Sequence, residues 1–300
     1  MNLLQLVQAT CAELGIPQPN AVASTTDPQI AQIYALMNKV GNDVITNDNW
    51  QGLDKEYRFN TVVHSVTGDT TLDSAVVQNI SSTAGIVAGT FMCTGLNIPS
   101  DTYVLSVDSS TQVTLSNPAS GSATGSSLVF AQTKYALPSD YDHQLNRTQW
   151  DKTNHWELLG PKSPQEWQYL KSGIVSTGPR MRYRILGGYF QLWPPSPTQS
   201  QLGFEYLSNA WVTSSAGVGK TQFSADDDIC NFRDRTMICG TKFEFFNIKG
   251  MDTTSLSRDY YIQLNKEMAF DRGAPTLSLA PSGAPLFISP GSIPDSGYGH

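Results

Sequence analysis

Apolar residues recur every three to four positions in several stretches of the chain. Leu3, Leu6, Val7, Cys11 and Leu14 predict a helix over residues 2–15, stopped by Gly15-Ile16-Pro17. Ile30, Ile33, Tyr34, Met37, Val40 and Val44 predict a second, with Asp27 as its cap, Pro28 at its first position and an end near Asn47-Asp48-Asn49. A short helix starts at Ser163-Pro164-Gln165-Glu166, carries Trp167 and Leu170, and stops near Gly173. Ser224-Ala225-Asp226-Asp227 reads as a capping box for a further helix bearing Ile229, Phe232, Met237, Ile238, Phe243 and Phe246 and ending near Gly250. Apolar on several sides, it is expected to be the most buried helix. The last begins around Thr254, shows Leu256, Tyr260, Leu264 and Met268 on one stripe, and closes at Gly273-Ala274-Pro275.

Elsewhere the period is two. Tyr57, Phe59, Thr61 and Val63 alternate as a strand. Tyr135-Ala136-Leu137-Pro138-Ser139-Asp140-Tyr141 is an extended run that Pro138 keeps out of helix. Arg180 to Trp193 predicts a hairpin turning at Gly187-Gly188 and ended by Pro194 and Pro195. Leu202, Phe204 and Tyr206 form a further strand, expected to pair with that hairpin, and the Tyr57 strand is expected to pair with the one at Tyr135.

From His64 to Thr133 charge almost vanishes in favour of Ser, Thr, Gly and Val. Tyr103, Leu105 and Val107 alternate, Asp108-Ser109-Ser110 turns, and Val113 and Leu115 alternate again; Phe91 with Cys93 and Leu128 with Phe130 mark further short strands. The expected fold class is α+β: a helical bundle with a small antiparallel β-sheet domain and an inserted β-sandwich or barrel module. Residues 1–63 and 133–272 form the body, 64–132 the insert and 273–300 an extended C-terminal arm. The arm has five prolines and two apolar islands, Leu277 with Leu279 and Leu286-Phe287-Ile288. It reads equally as a disordered tail or as an arm that orders on a neighbouring subunit.

Composition narrows the chemistry. Only 15% of residues are charged, below the usual quarter, as expected where an assembly hides surface. The 26 Asp plus Glu against 19 Lys plus Arg argue against gripping a nucleic-acid backbone, but suit a wall past which DNA slides. Cys11, Cys93, Cys230 and Cys239 lack metal or disulfide spacing and read as reduced, mostly buried thiols. No signal peptide and no membrane span are expected. His64, His143, His155 and His300 lie in unrelated surroundings, so no metal site is expected. Ala216-Gly217-Val218-Gly219-Lys220-Thr221 has Ser214 where a phosphate-binding loop needs Gly, and reads as a plain loop. No cofactor and no catalytic constellation are expected. Arg180, Arg182 and Arg184 share one strand face, suited to carboxylate pairing across strands or subunits, with Glu205 as the expected partner, or to facing a channel. Trp150, Trp156 and Trp167 are aromatic interface candidates beside the arm's Leu277, Leu279, Leu286, Phe287 and Ile288.

The two N-terminal helices, the Tyr57 strand, the Tyr135–Tyr141 run, Asn146-Arg147-Thr148-Gln149-Trp150-Asp151 and Ser163-Pro164-Gln165-Glu166-Trp167 together resemble the head-to-tail adaptor proteins of tailed, short-tailed bacteriophages, over residues 1–63 and 133–272. The resemblance implies a structural virion protein, made in the host cytoplasm, forming a ring of twelve copies. Such a ring joins the portal protein to the tail nozzle protein and lines a channel through which double-stranded DNA passes without sequence-specific binding. It implies no membrane and no enzyme, with tail fibres as a further partner. The alternative is a β-rich host-recognition or fibre-anchoring virion protein, binding glycan or another tail component through residues 64–132.

Overall fold

A computed structural model describes residues 1–172 and 180–273. Among these residues five helices form: α1 (Leu3–Leu14), α2 (Pro28–Asn47), α3 (Pro164–Lys171), α4 (Asp234–Ile248) and α5 (Thr254–Arg272), with a 3-10 turn at Gln51–Leu53. The strands run, in chain order, β1 (Asp54–Asn60), β2 (Val63–Thr70), β3 (Val76–Val77), β4 (Phe91–Gly95), β5 (Val104–Ser109), β6 (Gln112–Leu115) and β7 (Ala123–Gln132). There follow β8 (Lys134–Ala136), β9 (Tyr141–Gln144), β10 (Trp150–Asp151), β11 (Trp156–Glu157), β12 (Arg182–Leu186) and β13 (Tyr189–Trp193). The last are β14 (Gln201–Ser208), β15 (Val212–Thr213), β16 (Gly219–Lys220) and β17 (Ile229–Cys230). The fold is thus mixed helix and sheet, with several small antiparallel sheets.

The helix starts follow their side chains. Asn2 Oδ1 accepts the Gln5 N–H at 2.9 Å while Gln5 Oε1 accepts that of Asn2 at 3.1 Å, and Gly15 ends α1 in the left-handed region. Asp27 caps α2 through Gln29 N at 2.8 Å, with Pro28 at the first position. Ser163 and Glu166 cap α3 reciprocally, at 3.2 and 3.3 Å. α1, α2, α4 and α5 bury their apolar stripes in one cluster that also takes in Leu207, Trp211, Phe223 and Phe232.

The capping box expected at Ser224 does not open a helix; α4 starts ten residues later, after Arg233. The carbonyls of Asp226 and Asp228 accept the N–H groups of Leu4 and Leu3, at 3.1 and 2.8 Å, and Ile229 bridges Asn2. Backbone groups spent on the N-terminal segment are not available to a helical turn. Ile229 and Phe232, expected on the helix, precede it.

Sheet pairing also departs from expectation. β14 pairs with β1, from Asp54↔Leu207 to Asn60↔Gln201, and on its other edge with β10 and β9. The β12–β13 hairpin forms with its turn at Gly187-Gly188, but pairs with β8 and not with β14. β1 and β8 therefore lie in different sheets and meet face to face, Phe59 against Tyr135 at 4.6 Å between ring centroids. This arrangement buries both aromatic faces. Tyr183, Phe190 and Phe204 stack at 4.9 and 5.1 Å, with rings within 7° of parallel.

Between β2 and β7 the chain forms two three-stranded sheets, β2-β7-β4 and β3-β6-β5. Their inner residues, Phe91, Cys93, Val104, Val113, Leu115, Leu128 and Phe130 among them, form an apolar cluster distinct from those of the helices and the aromatic sheets. A fourth, small cluster of Met92, Trp167, Leu170 and Trp193 joins these sheets to α3 and the hairpin, flanked by Lys171–Asp101 at 2.9 Å. All four cysteines are buried and unpaired, as expected.

Candidate interaction surfaces

Residues opposite each other in a sheet share a face, so the register defines the surface that the hairpin turns outward. Arg184 lies across from Gln191, and Gln191 from Lys134. This row shares one face of β12-β13-β8 with Arg182, Leu186, Tyr189 and Trp193; Leu186 and Tyr189 are exposed there, while Trp193 is buried against Met92, Trp167 and Leu170. Met181, Tyr183 and Ile185 take the opposite face, as the alternation predicts, and Tyr183 is fully buried. Arg184 has no ion-pair partner among the described residues. Arg182 donates to the carbonyl of Arg180 at 3.4 Å, and Arg180 itself is exposed. Glu205, the expected carboxylate partner, lies on the other sheet opposite Glu56 and does not meet the arginines.

Lys134, invisible to the sequence reading because it belongs to a different run, completes the cationic row. Its ammonium stands 6.0 Å from the Tyr103 ring centroid, across the seam between the hairpin sheet and the 64–132 sheets. Cavities of about 250 and 370 Å³ follow that seam. Lys134, Leu186 and Gln191 line both, with Gly89 opposite. Tyr103 lines the first and Tyr189 the second, each 40% exposed.

The three tryptophans separate. Trp150 and Trp156 occupy the adjacent strands β10 and β11, one residue out of register, and each is 37% exposed. Asp151, between them in sequence, is buried and holds the turn: its Oδ1 accepts the N–H groups of Thr153 and Asn154, both at 2.9 Å. Trp167 is 2% exposed and packs against Met92, Leu170 and Trp193, so it belongs to the core and offers no docking surface. Leu277, Leu279, Leu286, Phe287 and Ile288 lie outside the described residues. Exposed apolar groups that the sequence reading passed over stand on the helices: Ile248 and Met251 at the α4–α5 connection, and Tyr261, Ile262 and Phe270 on α5. Helical spacing identified the buried stripe of α5; nothing in that period separates an apolar residue on the opposite side from an ordinary surface residue.

The glycine-rich run before Lys220 serves the fold. β15 and β16 make a hairpin, and Lys220 Nζ donates to Asp228 Oδ1 at 2.8 Å, Oδ2 at 3.1 Å and Ser224 Oγ at 2.8 Å. Asp228, fully buried, also accepts the N–H groups of Ser224 and Ala225 at 2.8 and 2.9 Å. Burial acts to raise its pKa, but Lys220 and these N–H groups outweigh it and hold the carboxyl below its ordinary value. The ammonium that a phosphate would need is thereby engaged. Among the described residues, no group of three or more His, Cys, Asp or Glu is placed to hold a metal ion, and no helix is long and apolar enough to cross a membrane.

No protein-family model matches the chain, and no curated protein matches it.

Proposed function

We propose that this chain is a ring-forming head-to-tail adaptor of a bacteriophage virion, joining the portal to the tail nozzle and lining the DNA channel. The observation that carries the reading is a pair of unlike surfaces on the aromatic double-sheet platform. One is the cationic row Arg184–Gln191–Lys134 with Tyr189 and Leu186; the other is the face of β10 and β14 on which Trp150, 37% exposed, lies across from Gly203, with Trp156 on the opposite face of the edge strand β11. A closed ring needs a heterologous contact, in which one patch meets a different patch on the next copy, and unlike surfaces suit that need. Ile248 and Met251 at the α4–α5 connection, with Tyr261 and Ile262 of α5, are a further surface for the portal. The four helices of the main cluster act as a bundle and the 64–132 sheets as an inserted sandwich. With a formal net charge of −7 per copy, twelve copies surround DNA with a field that favours passage over capture.

Negative-stain imaging of the purified protein, alone and with its portal, tests this. Twelve-fold rings are expected, and Arg184→Glu together with Trp150→Ala is expected to leave folded, dispersed subunits. A protein that remains solitary beside its portal and on virions refutes the proposal.

The cavities along the seam favour one second reading, in which the 64–132 sheets and the hairpin hold a host glycan between Tyr103 and Lys134. Under it, virions carrying Tyr103→Ala and Lys134→Ala assemble normally but fail to adsorb. Normal adsorption by those virions excludes it.

A further inference from the structure

At the end of α5 a cavity of about 250 Å³ opens between the helix, the 3-10 turn and the segment entering α4. Trp50, Leu53 and Phe232 form its apolar walls; all three are buried, and the rings of Trp50 and Phe232 lie 5.1 Å apart. Phe270 stands at the mouth, 66% exposed, with the Arg233 guanidinium 3.9 Å over its ring. Asp271 ties the helix end to the turn by accepting the N–H groups of Gln51 at 2.7 Å and Gly52 at 3.2 Å.

Glu267 also lines this cavity and is only 7% exposed. Its Oε1 accepts the backbone N–H of Arg233 at 2.5 Å, while its buried Oε2 has no hydrogen-bond partner. A buried carboxylate oxygen without a donor is costly and calls for an explanation. The cavity thus lacks two things: an apolar filler for its aromatic walls and a hydrogen-bond donor for Glu267.

Both are encoded a few residues downstream. Asp271 lines the cavity, and Leu277 follows it by six residues, a span of at most about 20 Å when extended. Pro275-Thr276-Leu277-Ser278-Leu279 offers two leucines, backbone N–H groups and two hydroxyls. Residues 274–300 contain no lysine or arginine, so the donor this segment brings is neutral. We infer that this cavity is the docking site for the first apolar island of the chain's own C-terminal segment, Leu277 or Leu279 entering between Trp50, Phe232 and Phe270 while an N–H or hydroxyl of residues 276–278 donates to Glu267 Oε2. The short tether favours the chain's own segment over a neighbour's, because it holds the island at a millimolar-range effective concentration. Burial pushes the Glu267 carboxyl pKa up, outweighing the lowering pull of Thr236 and Arg233.

Hydrogen exchange of the full chain, compared with a chain ending at Gly273 and with Leu277→Ser/Leu279→Ser, tests the assignment. Truncation and the double substitution are both expected to speed exchange in peptides covering residues 50–53 and 231–233 and to lower Tm by ~2–4 °C. Leu286→Ser/Phe287→Ser in the second island is expected to leave both readouts unchanged. A synthetic peptide of residues 274–282 added to the truncated chain is expected to restore protection, and not to do so when Glu267→Leu is also present. The assignment is overturned if full and truncated chains exchange alike at those peptides. It is also overturned if protection in the full chain rises with protein concentration, which would place a neighbour's segment in the site. Neither outcome depends on whether the protein forms rings on a portal, since no portal is present in any of these measurements.

Discussion

Asp140 accepts hydrogen bonds from Lys55 Nζ at 2.6 Å, Ser208 Oγ at 2.7 Å and the Tyr206 hydroxyl at 2.9 Å. Burial alone would raise its pKa, but the three donors outweigh it and bring the carboxyl down from 3.8 to about 2. A folded-state pKa below the unfolded one stabilises the fold at all pH above the unfolded value, about 3.9, and that contribution is lost as pH falls through the folded value. The side chain is 21% exposed, so solvent screening discounts the full shift to a contribution on the order of 1–2 kcal/mol. Asp140→Asn should lose that stability at pH 7, and its deficit against the unsubstituted protein should shrink between about pH 4 and pH 2. Urea titrations at stepped pH check both the deficit and its window. Asp140 was legible as part of an extended run, but its role was not, because Lys55 and Ser208 approach it from strands distant in sequence.

Helix α2 shows what period alone can and cannot say about an element. Its apolar stripe identified the buried face, and Ile30, Ile33, Met37, Val40 and Val44 are all buried. The stripe did not reveal that Gly41 is the point of closest approach: a Cβ there would stand 2.1 Å from Trp211, whose indole N–H donates to Asn42 Oδ1 at 3.0 Å. Trp211 is fully buried and stacks edge-on against Phe223, so it has no room to yield. Gly41→Ala is expected to destabilise the helical cluster by about 1–3 kcal/mol, the usual range for overpacking, even though alanine favours helix. Thermal unfolding followed at 222 nm measures the loss. The same distinction explains the misplaced start of α4. Ser224-Ala225-Asp226-Asp227 satisfies the local rule for a cap, yet the N-terminal segment, more than two hundred residues away, claims those carbonyls. Strand faces were likewise readable from alternation. Strand partners were not, since β1 and β14 are joined across nearly the whole body and either hairpin-like choice satisfied the same pattern.

At the scale of the whole molecule, the 64–132 sheets connect to the rest through few groups, and their two ends meet. Val63 pairs with Ala131, and Gln132 N–H donates to the carbonyl of Val62 at 2.8 Å, so the chain enters and leaves through adjacent strands. Their apolar cluster shares no buried member with the helical or aromatic clusters. Excising residues 64–130 and joining the ends with a two-residue Gly-Ser linker should therefore leave the body folded. The expected cost is local: Met92 is removed from Trp167, Leu170 and Trp193, and Asp101 from Lys171. Losing a buried methionine from such a cluster costs about 2–5 kcal/mol when it leaves a cavity, and less here because the site opens to water. Circular dichroism should keep the helical signal with a lowered Tm, and tryptophan emission should shift to the red as Trp167 and Trp193 meet solvent. If instead the excised chain fails to fold at any temperature, the sheets are an integral part of the body's core, and residues 64–132 act as more than an outward decoration.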